Sequence, residues 1–209
     1  MHLPKLHEEK DWDTIAGFIR QYPFAMLVNV LDGRPEATHL PLELVEKKPG
    51  QFVLQGHVAR ANPQWQAFSA GQALAVFTEP HAYISASWYE KSKIPTWNYI
   101  AVHVYGHMAL LDEQALHRSL ERLMERYEHG REHAARISDI PAAEYKSNLQ
   151  AIVGFEMALE TIQARYKLSQ NKNDRDYNSV VQHLEQDTNQ QALRIAEAMR
   201  KKRPGCPHA

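Results

Sequence analysis

Between residues 24 and 111 the chain repeats one pattern: a short apolar or alternating run, a turn signal, then another run. Residues 24–30 are compactly apolar and lead into Asp32-Gly33, a dipeptide suited to the positive φ of a tight hairpin. Residues 37–45 alternate, with Thr38, Leu40, Leu42 and Leu44 on one face, and Lys48-Pro49-Gly50 forms a second turn. Residues 51–58, 73–78, 82–85 and 99–111 supply the next expected strands. Residues 151–166 alternate through Val153, Phe155, Met157, Leu159 and Thr161, which predicts one long returning strand. Short strands at this spacing point to an antiparallel barrel, closed or nearly so.

Helical periodicity appears only around this core. Trp12, Ile15 and Ile19 make a short amphipathic stripe, with Asp11 as its cap. Leu116, Leu120, Leu123, Met124 and Tyr127 predict a helix over 112–129, whose Arg and Glu residues form a solvated opposite face. Two more stripes follow: Tyr177, Val180, Val181 and Leu184, then Ala192, Ile195, Ala196 and Met199. Thr188-x-x-Gln191 has the form of a capping box for the last helix. No repeat and no Gly/Ser-rich linker divides the 209 residues. The expectation is a mainly β chain with helices (α+β), one domain over 1–209, with residues 174–203 as its helical C-terminal extension.

Composition removes several function classes. A formal charge of −1 provides no global field for nucleic acid or anionic membrane. The single cysteine, Cys206, excludes an intrachain disulfide framework. No apolar run approaches the roughly 20 residues that span a bilayer, and the polar start lacks a signal-peptide core. A soluble, cytoplasmic protein without membrane contact is expected. Nine glycines make neither a phosphate-binding P-loop nor a G-x-G-x-x-G turn. A phosphate would therefore be held by side chains and loop amides, in segment 57–62 or segment 167–172. From composition alone, Arg60 and Lys167 read first as solvated strand-end charges.

The twelve histidines form no convincing metal motif. His103 and His107 would share a strand face about 13 Å apart, too far for one ion at the usual rise of ~3.3 Å per residue. His129 and His133 could share a helix face, but Gly130 intervenes and no further ligand completes the set. Ser85 and Ser87, near His81, lack a nucleophile elbow. Tyr83, Trp88, Tyr89, Trp97 and Tyr99 place five aromatics in 17 residues, which suits core, a dimer interface or the wall of a flat ligand. The two C-terminal stripes mimic a helix-turn-helix. Its second helix, however, starts Asn189-Gln190-Gln191 and carries its cations, Arg200-Lys201-Lys202-Arg203, at the far end, whereas base readers use the start.

Long motifs then converge on one family. Ala37-Thr38-His39-Leu40-Pro41-Leu42, Gly56-His57-Val58-Ala59-Arg60-Ala61-Asn62-Pro63-Gln64-Trp65, His81-Ala82-Tyr83-Ile84-Ser85-Ala86-Ser87-Trp88-Tyr89, Pro95-Thr96-Trp97-Asn98-Tyr99 and Lys167-Leu168-Ser169-Gln170-Asn171 resemble the PaiB family, described as FMN-binding negative transcriptional regulators. The resemblance runs from Met1 to about Val181. It implies a flavin-reductase-like split β-barrel, similar to pyridoxamine-phosphate oxidase, with FMN at the interface of a homodimer. On that basis Arg60 and His57 are expected near the phosphate, with Asn62 in the same turn, and Thr38, His39 and Leu40 near the isoalloxazine or ribityl chain. Trp88, Trp97 and Asn98 would come from the second subunit, and Lys167, Ser169, Gln170 and Asn171 would fold back over the site. A small-molecule substrate follows if the flavin is catalytic. Two alternatives stay open: a regulator that binds DNA or protein without catalysis, and a haem-binding or haem-degrading split barrel.

Overall fold

The computed structural model describes residues 1–91 and 93–203, so Cys206 lies outside the described residues. Within them the chain forms β1 Glu8–Glu9, α1 Trp12–Gln21, β2 Phe24–Leu31, β3 Arg34–Pro41, β4 Glu43–Lys48 and β5 Gln51–Ala59. Then come β6 Gln72–Ile84, β7 Thr96–Leu110, α2 Glu113–Glu128, α3 Ala142–Gln150, β8 Ile152–Ala158, β9 Thr161–Lys167, α4 Asp174–Glu185 and α5 Gln190–Lys202. The strands hydrogen-bond in the order β3-β2-β6-β7-β8-β5-β4, with β9 joining β7 and β1 joining β9. Every described pairing is antiparallel.

The Asp32-Gly33 turn forms as its residues predict, with φ of 52° and 77°. It sets β2 against β3 in unbroken register from Leu31↔Arg34 to Phe24↔Pro41. The alternation over 37–45 is real, yet it serves two strands. Leu40, Leu42 and Leu44 are all buried, but the chain leaves β3 at Pro41 and β4 takes β5 as its partner. At the junction Leu42 N donates to Pro23 O over 2.8 Å. A period of two reports which face is buried and is blind to which neighbour is paired. For the same reason residues 151–166 are two strands, β8 on β5 and β7, β9 on β1 and β7. Conversely, the expected strands 73–78 and 82–85 merge into the single thirteen-residue β6, which ends at Ile84, leaving Ser85 outside it. Helix α3 was not expected; Leu149 is its one buried residue, so it carries no stripe to read. Asp11 and Asp112 cap α1 and α2, whereas α5 is capped by Asn189, whose side chain accepts from Gln191 N, and not by Thr188.

The chain separates into two compact units. Unit 1 comprises Met1–Phe18, Phe77–His103 and Gln163–Ala209; unit 2 comprises Ile19–Val76 and Val104–Ile162. In unit 2, Leu27, Leu42, Leu54, Phe68, Phe155 and Met157 are almost completely buried, and Phe68 meets Phe155 edge-on with centroids 4.9 Å apart. In unit 1, Ile84, Val102 and Leu168 are buried with the stripes of α4 and α5, and Tyr177 Oη donates to Met199 O over 2.7 Å. The last helix is therefore part of the unit 1 core, consistent with an apolar face that a surface helix must cover.

Candidate functional site

Unit 2 holds Thr38, His39 and Leu40 on β3, His57 on β5, and Arg60 and Asn62 in the turn beyond it. The structure joins two of them directly: Asn62 Nδ2 donates to Thr38 Oγ1 over 2.8 Å. Gln64 ties the pair down. It takes the Thr38 hydroxyl, donates from its backbone N to Asn62 Oδ1 at 3.0 Å, and donates from Nε2 to Leu27 O and Glu36 O. Gln64 is 1% exposed, so this network fixes β3 against the turn from inside. His57 is half-buried, and burial pulls its imidazole below the ordinary histidine range, favouring the neutral ring. His39 is exposed and stacks on Phe24, while Leu40 points into the core.

Arg60 is engaged locally. Its Nε donates to Gln150 O at 2.7 Å and its Nη2 to Ile152 O at 3.0 Å. Its guanidinium lies 6.0 Å from the Trp65 ring, and Trp65 Nε1 donates back to Arg60 O. Arg60, Trp65, Leu110, Leu116 and Lys146 are among the walls of a cleft of about 230 Å³. The arginine thus bridges the end of β5 to the start of β8.

Unit 1 holds the other expected residues. Trp97 is 52% exposed on β7, beside His81 and edge-on to the exposed Tyr83, with centroids 5.9 and 5.8 Å away. These rings form an open aromatic face. Trp88 instead stacks on His183 at 4.9 Å and 14°. Asn98 and Ser169 are bonded to each other in the core, at 0% and 4% exposure, and Asn98 Nδ2 also meets Met199 Sδ. Ser169 has φ of 60°, which turns the chain out of β9. Asn171 is exposed beyond it. Lys167 Nζ donates to Thr96 Oγ1, and Gln170 Oε1 accepts from Leu168 N at 2.8 Å while lying 3.0 Å from His7 Nδ1. Burial, then Arg165, holds the Lys167 ammonium below the usual lysine range. His7 and Arg165 were not singled out from sequence, and Thr96 and Gln64 stood inside the family motifs without a role; each is chemically ordinary in its own segment and acquires a role only through its partner.

The basic end of α5 is matched within unit 1. Arg200 makes two bonds to Glu185 at 3.0 and 3.1 Å, Lys201 meets Glu197 at 2.7 Å, Lys202 meets Glu9 at 2.7 Å and Arg203 meets Asp174 at 2.9 Å. Among the described residues no group of three or more His, Cys, Asp or Glu is placed to hold a metal ion, and no helix is long and apolar enough to cross a membrane.

Solved structures with this architecture include the FAD and haem binding protein from Mycobacterium smegmatis, at TM-score 0.62, 18% identity and coverage of 81% of this chain and 78% of that one. The flavocytochrome Anf3 from Azotobacter vinelandii matches at TM-score 0.64 and 14% identity, covering 84% and 78%. The fold is accordingly the split β-barrel, a mainly antiparallel sheet with, among the described residues, five α-helices. The family model "Putative FMN-binding domain" matches residues 1–161. The "Protease synthase and sporulation protein PAI 2" of Bacillus subtilis (strain 168) is 40% identical over 203 residues, 97% of this chain and 98% of that protein. The split-barrel architecture, the FMN-binding domain match and full-length similarity to the Bacillus protein agree: the chain belongs to the PaiB family of FMN-binding proteins.

Proposed function

We propose that this protein is an FMN-dependent oxidoreductase acting on a small molecule as a homodimer, rather than a DNA-binding regulator. Family membership supports the cofactor. The observation that carries the choice of oxidoreductase is the matched charge at the end of α5. Four cations each held by a carboxylate of their own chain leave little positive field to displace counterions from DNA. FMN, when bound, supplies electron or hydride transfer; the chain's own groups bind, orient and exclude water. In unit 2, Thr38 and Asn62 offer neutral hydrogen-bonding groups fixed by a buried network and His57 a half-buried imidazole held toward its neutral form; in unit 1, Trp97 and Tyr83 offer flat aromatic surface. Asn98 and Ser169 support Lys167 and Gln170 from within the core. Dimerisation is supported by the large exposed apolar residues Tyr83, Ile94 and Trp97 in unit 1 and Phe24, Val30 and Leu110 in unit 2. A two-fold contact would cover each patch twice.

The test is the visible spectrum of the purified protein before and after adding FMN, followed by anaerobic addition of a nicotinamide donor. Bound flavin that bleaches on reduction is expected, in a species of twice the 24.0 kDa chain mass on sedimentation. Failure to take up FMN overturns the proposal. So does a sequence-specific DNA footprint that persists at about 0.15 M salt. Haem binding is the second reading, favoured by the half-buried imidazoles of His57 and His103, both held toward the neutral form by burial. A Soret band would select it.

A further inference from the structure

We propose that Lys167, Arg165 and His7 form a receptor for a phosphate monoester in unit 1, and that the terminal phosphate of FMN is its ligand. The second half rests on the FMN reading above; the first does not. Arg165 and Lys167 stand two residues apart on β9, so the strand's period of two puts them on one face. The segment before β1 brings His7 alongside, fastened by Gln170. Gln170 is itself anchored to Tyr166 O and Leu168 N, which fixes the whole turn. Thr96 adds a hydroxyl at the Lys167 ammonium.

Among the described residues no carboxylate forms a salt bridge with Arg165 or Lys167. Glu8 lies opposite Arg165 in the β1–β9 register, but its carboxylate is 3.2 Å from Lys10. Glu9 is taken by Lys202. Arg165 donates from Nη1 to His2 O, its guanidinium stacks 5.3 Å from the Tyr99 ring, and its Nε is buried with no hydrogen-bond partner among the described residues. Burial lowers the pKa of both Lys167 and His7, and Arg165 lowers both further. Such mutual repulsion is what a bound dianion relieves. An arginine fork, a lysine point charge and a hydroxyl are also the donor types that suit phosphate oxygens. Arg60, the strongest phosphate expectation from sequence, has Nε and Nη2 engaged on main-chain carbonyls.

Wild type, Lys167→Met, Lys167→Arg and Arg165→Gln would each be titrated with FMN, with riboflavin and with inorganic phosphate, and their melting compared to verify folding. Wild type should prefer FMN over riboflavin by about tenfold or more, the usual worth of a hydrogen bond to a charged group. Lys167→Met should lose that preference without weakening riboflavin, Lys167→Arg should keep most of it, and inorganic phosphate should compete with FMN in wild type and Lys167→Arg but not in Lys167→Met. Equal losses for both flavins, or an undiminished preference, overturn the FMN assignment. Phosphate binding that disappears in Lys167→Met while flavin preference persists keeps the receptor and assigns it to free phosphate or another phosphoester. If neither ligand depends on Lys167, the receptor itself is refuted. A wild type that binds no flavin but binds phosphate through Lys167 refutes only the FMN reading.

Discussion

His57 couples the candidate site to pH. In the unfolded chain its ring titrates near the ordinary 6.5, while in the fold burial keeps it neutral to lower pH. Between those two values the unfolded state binds more protons, so stability rises with pH in that window. The stabilisation is complete above the unfolded value and is lost as pH falls through it toward the folded one. His7 and His103 shift in the same direction and add to the loss. Melting temperatures measured between about pH 5 and 8 should therefore fall toward the acid end, with a shallower fall in His57→Asn. Identical slopes would show that the ring is not desolvated. The candidate residues of unit 2, Thr38, His57 and Asn62, and of unit 1, Lys167, were each readable in sequence because they sit in long, unusual motifs. Their partners were not, since Thr38–Gln64 and His7–Gln170 are separated by 26 and 163 residues and no local pattern encodes such contacts.

Elements meet most closely at glycine. A Cβ on Gly106 would lie 1.7 Å from Ala158 O, a main-chain atom that cannot turn aside, whereas one on Gly154 would meet Leu116 Cδ1 at 2.7 Å, the end of a flexible side chain. Gly106→Ala should therefore cost about 3 kcal/mol or more, beyond the ordinary range for overpacking, and Gly154→Ala much less. Denaturant midpoints compare them, and equal midpoints would mean that β7 and β8 approach differently. Helix starts give a second comparison. Asn189→Ala should lower stability by about 1 kcal/mol, while Thr188→Ala should change it little, because Asn189 accepts from Gln191 N. The capping-box pattern at Thr188 fell one residue away because both residues can cap and only the chain's path chooses between them. Strand existence was legible for a firmer reason: Leu40, Leu42 and Leu44 must all be buried whichever partner they take. Strand division was not, because pairing choice depends on remote segments such as β5.

At the scale of the molecule, α5 holds unit 1 together. Removing residues 189–209 would uncover Tyr177, Val180, Val181 and Leu184, all within 1% of full burial, and remove the Met199 partner of Tyr177 and Asn98. The truncated protein should bind hydrophobic dye and melt well below the full chain; an unchanged melting temperature would place the helix outside the core. The two units also have different histories during synthesis. Unit 2 has all its residues once Ile162 has been made, whereas unit 1 still waits for Gln163 onward to meet a segment that began at Met1. On the ribosome, then, unit 2 can acquire protease resistance first, while residues 1–18 and 77–103 wait for their partners. Stalled chains of increasing length would show protection appearing in two steps, and only the second would bring the Lys202–Glu9 contact that stitches together residues made 193 positions apart.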